Sequence, residues 1–451
     1  MPMIAIALSI LPLFGCTDRQ ADGSTLPVAD LGASLDPDFP SLIDLSWQQL
    51  QDADAHVEYA VEGEDWQAAP AVSLVAGAQG KVVAGVPFDT VVMLRVVSDG
   101  EGAAWQSDAI SITTGSPPAD LPLPSLLVGD DGRAEPTGRY LYASIFQYSP
   151  PLYGASWLII VDRQGRLVWA MESPLNAQSF YVREARDGTA LMWDETRLFE
   201  PELSQVHRMK LDGSQDTTWP TPALLHAWTE LPDGSIVWGS YADGMFEKLM
   251  ELAPDGSSRA IWNCQDFEED FGSPYTGCLS NSLFWDADTD SFLYSFFTSM
   301  TVVQLDHQTG DTLESWGQLS DWSFDPPESQ FDWQHGVTWT DAGTLLLSTH
   351  VSTESDEVVV REYELDADAR VLHQIWSFGE GEGIHAETYG EARRLPGGNT
   401  LHNTGTTPRV REITPEGDVV WDLAWLDDAG EPAPFVIGRS VWLSDLYPYL
   451  P

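Results

Sequence analysis

Three histidines carry the chemical interest of this chain. The stretch FDWQHGVTWTDAGTLLLSTHV, residues 331–351, holds His335 just ahead of one alternating apolar run and His350 at the end of a second. His226 opens a similar run, HAWTELPDGSIVWGS. A neutral imidazole is a competent nucleophile at pH 7, because its reference pKa is about 6.5, and a second imidazole beside it can move a proton. Histidines so far apart in sequence form one site only if the fold brings them together. The alternative is that each merely ends or begins a strand. Other chemistry is absent from the pattern: there is no phosphate-binding glycine loop, no HExxH and no Ser-His-Asp spacing. DADTDS, residues 286–291, alternates carboxylates but lacks the glycine and terminal glutamate of a calcium loop, so it reads as a hairpin turn. No metal or cofactor is expected.

The elements that must position these residues recur. From residue 126 onward, apolar strands alternate with Asp- or Gly-rich turns, each followed by a tryptophan: Trp169, Trp219, Trp262, Trp316, Trp376 and Trp421, spaced 50, 43, 54, 60 and 45 residues apart. Six such units of several short strands predict a six-bladed β-propeller over 126–451. An earlier hairpin supplies a second register mark at Gly188, Gly234, Asp290, Gly343 and Gly398. Eight positions before these marks stand Phe180, His226, Ser282, His335 and Gly390; seven positions after stand Glu195, Tyr241, Phe297, His350 and Gly405. Equivalent positions on inner strands converge toward a propeller axis. His226 and His335 are therefore expected at one central cavity, with His350 across the hairpin from His335.

On these motifs, together with NSLFWDADTDSFLYS and LPGGNTLHNTGTTPRVREITPEGDVVW, the region resembles the bacterial arylsulfate sulfotransferase family. The resemblance covers about two-thirds of the chain. It implies a six-bladed propeller with an N-terminal β-domain that moves a sulfuryl group from an aryl sulfate to a phenol through a transiently sulfurylated histidine. Carried over by motif, the nucleophile is His335, in WQHGVTWTDAG, and the assisting histidine is His226. The family's further histidine and arginine fall on Leu279 and Phe297, both apolar. Loss of that cation matters, since electrostatic stabilisation is often the largest catalytic contribution. His350 and Arg409 are candidate replacements, and Tyr241 and the rim residue His385 are candidate substrate contacts. A non-catalytic propeller that binds a small aromatic or a glycan is the alternative, and Leu279 and Phe297 favour it.

Residues 31–115 read as short alternating strands separated by Gly, Pro and Asp turns, the pattern of a small β-sandwich. This segment resembles a fibronectin type III domain with Trp47 as its buried tryptophan. Residues 116–125, within TTGSPPADLPLPS, are too rich in proline to pair as a central strand and are expected to be a linker. The start, MPMIAIALSILPLFGC, reads as a secretory signal over 1–15. It resembles a bacterial lipoprotein signal, which implies lipidation of Cys16, a tether over 16–30 and a cell-envelope location. Cys264 and Cys278 then remain, either paired in an oxidising compartment or present as two free buried thiols.

Among the 451 residues, 70 Asp and Glu outweigh 21 Lys and Arg, for a formal charge of −49. Such a surface excludes phosphate-backbone recognition of nucleic acid and electrostatic adsorption to an anionic membrane. Membrane contact is expected only through the lipid anchor. An anionic small molecule is repelled at long range, so any site for one has to be built locally.

Overall fold

The computed structural model describes residues 27–451 apart from 101–102, 130–131, 150–151, 215–216, 243, 272–276 and 389. The proposed signal and Cys16 lie outside the described residues. The chain is all-β, with one short α-helix, Cys264–Phe271, among them.

The N-terminal part is a two-sheet sandwich. Val28–Leu35, Ile43–Gln49 and Gly77–Val83 form one sheet; Ala53–Val61 and Val91–Gly100, with short partners, form the other. Alternation drives the packing: in Ile43–Gln49 every second residue is buried. Trp47 lies in the resulting core with Val57, Tyr59, Leu94 and Val96, and its indole N–H donates to Gln49 Oε1 at 3.1 Å. The first strand begins at Val28, so the end of the expected tether over 16–30 already belongs to the fold. The Pro-rich segment is likewise no free linker. Leu121 is buried against Trp421 and Trp425, the Trp425 indole donates to the Pro122 carbonyl at 3.1 Å, and Ser125–Val128 pairs with Val419–Ala424. Prolines remove donors from this segment but leave its carbonyls and apolar surface available for docking. The sandwich itself packs on the C-terminal sheets: Phe39 stacks on Trp169 with ring centroids 5.7 Å apart.

Among the described residues, six sheets make up the rest of the chain, in a propeller-like arrangement; their pairings are antiparallel except where Ser323–Asp325 runs parallel to Val371–Phe378. The first contains Tyr140–Ser149, Leu152–Asp162 and Leu167–Glu172, and takes its remaining strand, Phe435–Leu443, from the far end of the chain. The other five begin with Val182–Glu184, Leu224–Glu230, Ser280–Asp286, Asp332–Trp339 and Glu391–Arg394 and run outward in sequence order over four strands; the last two add an outermost strand from earlier in the chain, Ser323–Asp325 and Ser125–Val128. The six marker tryptophans all stand on the fourth strand of their sheets, counted from these inner strands. The inner strands lie against one another: Leu224–Glu230 meets Ser280–Asp286, which meets Asp332–Trp339, which meets Glu391–Arg394. The hairpin marks Gly188, Gly234, Gly343 and Gly398 have φ of +67°, +87°, +76° and +97°, and Asp290 has +48°. Left-handed turn positions of this kind favour glycine and, less strongly, aspartate, which is why these marks recur in the sequence. Between the third and fourth sheets, Cys264 and Cys278 are joined in a disulfide.

Candidate functional site

The register positions converge. His226 and His335, on the inner strands of two sheets, and Phe180 and Gly390, just ahead of the inner strands of two others, line one small cavity, joined by Asn281, Gly438 and Arg439. Asn281 takes the place expected for Ser282 because the register of Ser280–Asp286 shifts between Ser280 and Ser282. Ser282 Oγ instead accepts the Val337 N–H at 3.2 Å. The space between the lining groups has room for about one water molecule.

His335 sits on a bulged strand. The pairing of Asp332–Trp339 with Leu345–Ser352 shifts on both sides of it, and Trp333 and Gly336 have φ of +53° and +62°. Bulges re-aim side chains, and this one turns the imidazole inward. His335 Nδ1–H donates to the Trp333 carbonyl at 2.8 Å, which puts the ring lone pair on Nε2. Burial, with smaller contributions from His350 and Arg439, outweighs that hydrogen bond and lowers the His335 pKa to about 3. His226 is held well below its ordinary value by burial, then by His335 and Arg439. Phe180 meets the His226 ring edge-on at 4.8 Å. Both imidazoles are therefore neutral at pH 7, which suits a nucleophile and a proton acceptor but not a standing general acid.

The cation of this cavity is Arg439, which no sequence motif singles out. It is buried, donates through Nη2 to the Asn281 carbonyl at 2.8 Å, lies 4.5 Å from the Tyr181 ring centroid and stands 4.0 Å from Glu391. Its strand carries no turn-and-tryptophan mark, because it completes the first sheet from the C-terminal side. The available signal was the alternating FVIGRSVWL, whose length fits one more strand.

Other expected positions resolve differently. His350 faces Asp332 across the hairpin, whereas His335 faces Ser348, because the bulge displaces the pairing. His350 Nε2 pairs with the Ala386 carbonyl at 2.9 Å; it influences His335 electrostatically without lining the cavity. Arg409 does not supply the missing cation: its guanidinium is bound to Asp422, with Nε to Oδ1 at 2.8 Å. His385 is exposed and pairs with Asp356 at 2.8 Å. Tyr241 is half-buried next to Glu247, and burial raises its pKa; it too stands apart from the cavity. Phe297 stacks on His335 at 6.4 Å with an interplanar angle of 13°, and its N–H donates to the Leu279 carbonyl at 3.1 Å. Cys264, Glu268 and Cys278 cluster tightly, but the disulfide removes both thiolates a metal would need. DADTDS forms a turn in which Asp286 accepts the N–H of Asp288 at 3.0 Å.

No family model matches the chain, and no curated protein matches it. Solved structures similar in fold include a protein of unknown function from Bacteroides caccae, at 12% identity over 66% of this chain and 98% of that one, with a TM-score of 0.42. A putative 6-phosphogluconolactonase from Bacteroides fragilis is 11% identical over 67% and 95%, with a TM-score of 0.40. A family 43 glycoside hydrolase, a β-1,3-galactosidase, is 12% identical over 63% and 98%, with a TM-score of 0.31. None of these likenesses bears on the chemistry of the histidine cavity.

Proposed function

We propose that the six sheets are the blades of one closed propeller, that the N-terminal sandwich is fibronectin-III-like, and that the protein is an arylsulfotransferase-type enzyme of the cell envelope. The observation that carries the reading is the meeting of His335, His226 and Arg439 in one buried cavity. In the first half-reaction His335 Nε2 attacks the sulfur of an aryl sulfate, the sulfur–oxygen bond to the ring breaks and an aryloxide leaves. In the second, a phenol oxygen attacks the same sulfur, the nitrogen–sulfur bond breaks and the phenolic proton passes to His226. Arg439 supplies positive charge for the sulfuryl oxygens, in place of the arginine that the family carries where this chain has Phe297. The bound sulfuryl group requires side chains that line the cavity to move, since the cavity as it stands has room for about one water molecule.

The apolar Leu279 and Phe297, at the places where the family carries a histidine and an arginine, favour a second reading, in which the channel binds a small aromatic or a glycan without turnover. Steady-state and burst assays with a panel of aryl sulfates separate the two. The enzyme reading expects a burst of phenol that matches the amount of protein, followed by turnover once an acceptor phenol is added. Binding of aryl sulfates with neither burst nor turnover supports the second reading instead.

A further inference from the structure

A second and larger cavity opens at the other end of the inner strands, with a volume of about 340 Å³. Arg439 reaches both cavities, but the other groups differ: Arg183, Arg186 and Arg393 line the larger one, with Trp285 and Trp339 among its apolar walls. The chain has 70 acidic residues and only 21 basic ones, so arginines would be expected to hold carboxylate partners. Many do: Arg409 has Asp422, Arg163 has Glu412, and Arg394 at this same cavity has Glu362. Arg183 and Arg186 do not. Arg183 donates to Thr229 Oγ1 at 2.9 Å and to the Glu184 carbonyl at 3.3 Å. Arg186 donates to the Glu230 carbonyl at 2.5 Å and lies 4.4 Å from the Trp285 ring centroid. Among the described residues neither guanidinium forms an ion pair with a carboxylate. Arg393 and Arg439 share one carboxylate, Glu391, at 3.0 and 4.0 Å.

Four guanidinium groups thus line a cavity with two carboxylates, Glu391 and the rim residue Asp341. Outside that lining the Glu230 carboxylate, shared with Arg208, accepts the Arg186 backbone N–H at 2.8 Å and offsets part of the Arg186 charge, which leaves a surplus of between one and two positive charges. Crowded guanidinium groups repel one another, and partial burial strengthens the repulsion. On a protein this acidic, two arginines whose guanidinium groups have no carboxylate ion pair among the described residues, in a concave site, suit an anionic ligand. Guanidinium forks match tetrahedral oxyanions, and their number selects charge. A sulfate monoester carries one negative charge and a phosphate monoester close to two at neutral pH. The aromatic walls suit a flat or apolar body behind the head group, and the volume lies in the range of small-molecule sites.

We propose that this cavity is a binding site for a small phosphate monoester, separate from the histidine cavity and independent of whether sulfuryl transfer occurs there. Calorimetric titration of the whole protein in phosphate-free buffer tests it, with phenyl phosphate, phenyl sulfate and phthalate as probes. Phenyl phosphate should bind roughly tenfold more tightly than phenyl sulfate, and binding should weaken as salt rises. Arg183→Gln/Arg186→Gln should weaken phenyl phosphate roughly tenfold or more while melting no lower than the wild type, because it removes unneutralised like charges. Arg186→Gln alone, at the exposed rim, should act in the same direction and guards against a folding defect in the double variant. Failure of phenyl phosphate to bind at millimolar concentration, unchanged binding in both variants, or tighter binding of phenyl sulfate or phthalate would overturn the proposal.

Discussion

At the scale of residues, His335 is a neutral imidazole whose tautomer is fixed by the Trp333 carbonyl and whose pKa is lowered to about 3, chiefly by burial. The linkage has a definite sign. Above pH 6.5 His335 is neutral in both folded and unfolded chains and has no effect on the pH dependence of stability. Between pH 6.5 and about 3 the unfolded chain takes up a proton that the folded chain refuses, so stability falls as pH falls, by about 1.4 kcal/mol per unit. Urea unfolding at pH 7.5 and 5.0 should therefore show the wild type losing roughly 2 kcal/mol more than His335→Gln across that interval; equal losses would contradict a buried neutral imidazole. His226, held well below its ordinary pKa, acts in the account as a base for the incoming phenol. His226→Ala should slow transfer to the acceptor by roughly 10²–10⁴-fold. With a good leaving group, the donor half-reaction should slow much less. Rapid-quench measurement of the two half-reactions separates these effects, and equal slowing of both would remove the assigned role.

At the scale of elements, the hairpin marks were legible because a left-handed turn demands glycine or aspartate, and the outer strands because each carries a tryptophan. Those two signals fixed a register good enough to bring Phe180, His226, His335 and Gly390 to one cavity. The misplacement of Ser282 against Asn281 and the pairing of His350 both trace to register shifts. A bulge changes pairing by one residue without changing composition, so strand alternation alone does not reveal it. Arg439 escaped for a different reason: its strand joins the first sheet across the whole length of the domain, and no local pattern announces such a pairing. The disulfide closes a short excursion between two sheets, with a sequence separation of 14. Cys264→Ala/Cys278→Ala should cost about 3 kcal/mol in the chain-entropy model. Denaturant unfolding measures it, and a change well below 1 kcal/mol would mean that the surrounding core, with Phe267 and Trp262, holds the excursion without the bond.

At the scale of the whole molecule, the sandwich, the Pro-rich segment and the propeller-like sheets share packing, through Phe39 on Trp169 and Leu121 against Trp425. Composition gave no hint of this docking, since a proline-rich stretch reads the same whether it hangs free or lies in a groove. The lipoprotein reading makes a claim about location. Cys16→Ser should move the protein from the membrane fraction to the soluble envelope fraction, because removing the acyl chains removes the membrane affinity they supply. Unchanged fractionation would end that reading and leave the site chemistry untouched.

The central claim is that His335 carries the sulfuryl group. Its most direct test is peptide mapping by mass spectrometry under mild alkaline conditions, after brief incubation with an aryl sulfate and no acceptor. One acid-labile sulfuryl group per chain is expected, located on His335, discharged by added phenol and absent from His335→Ala. An unlabelled His335 in protein that still binds the aryl sulfate would contradict it.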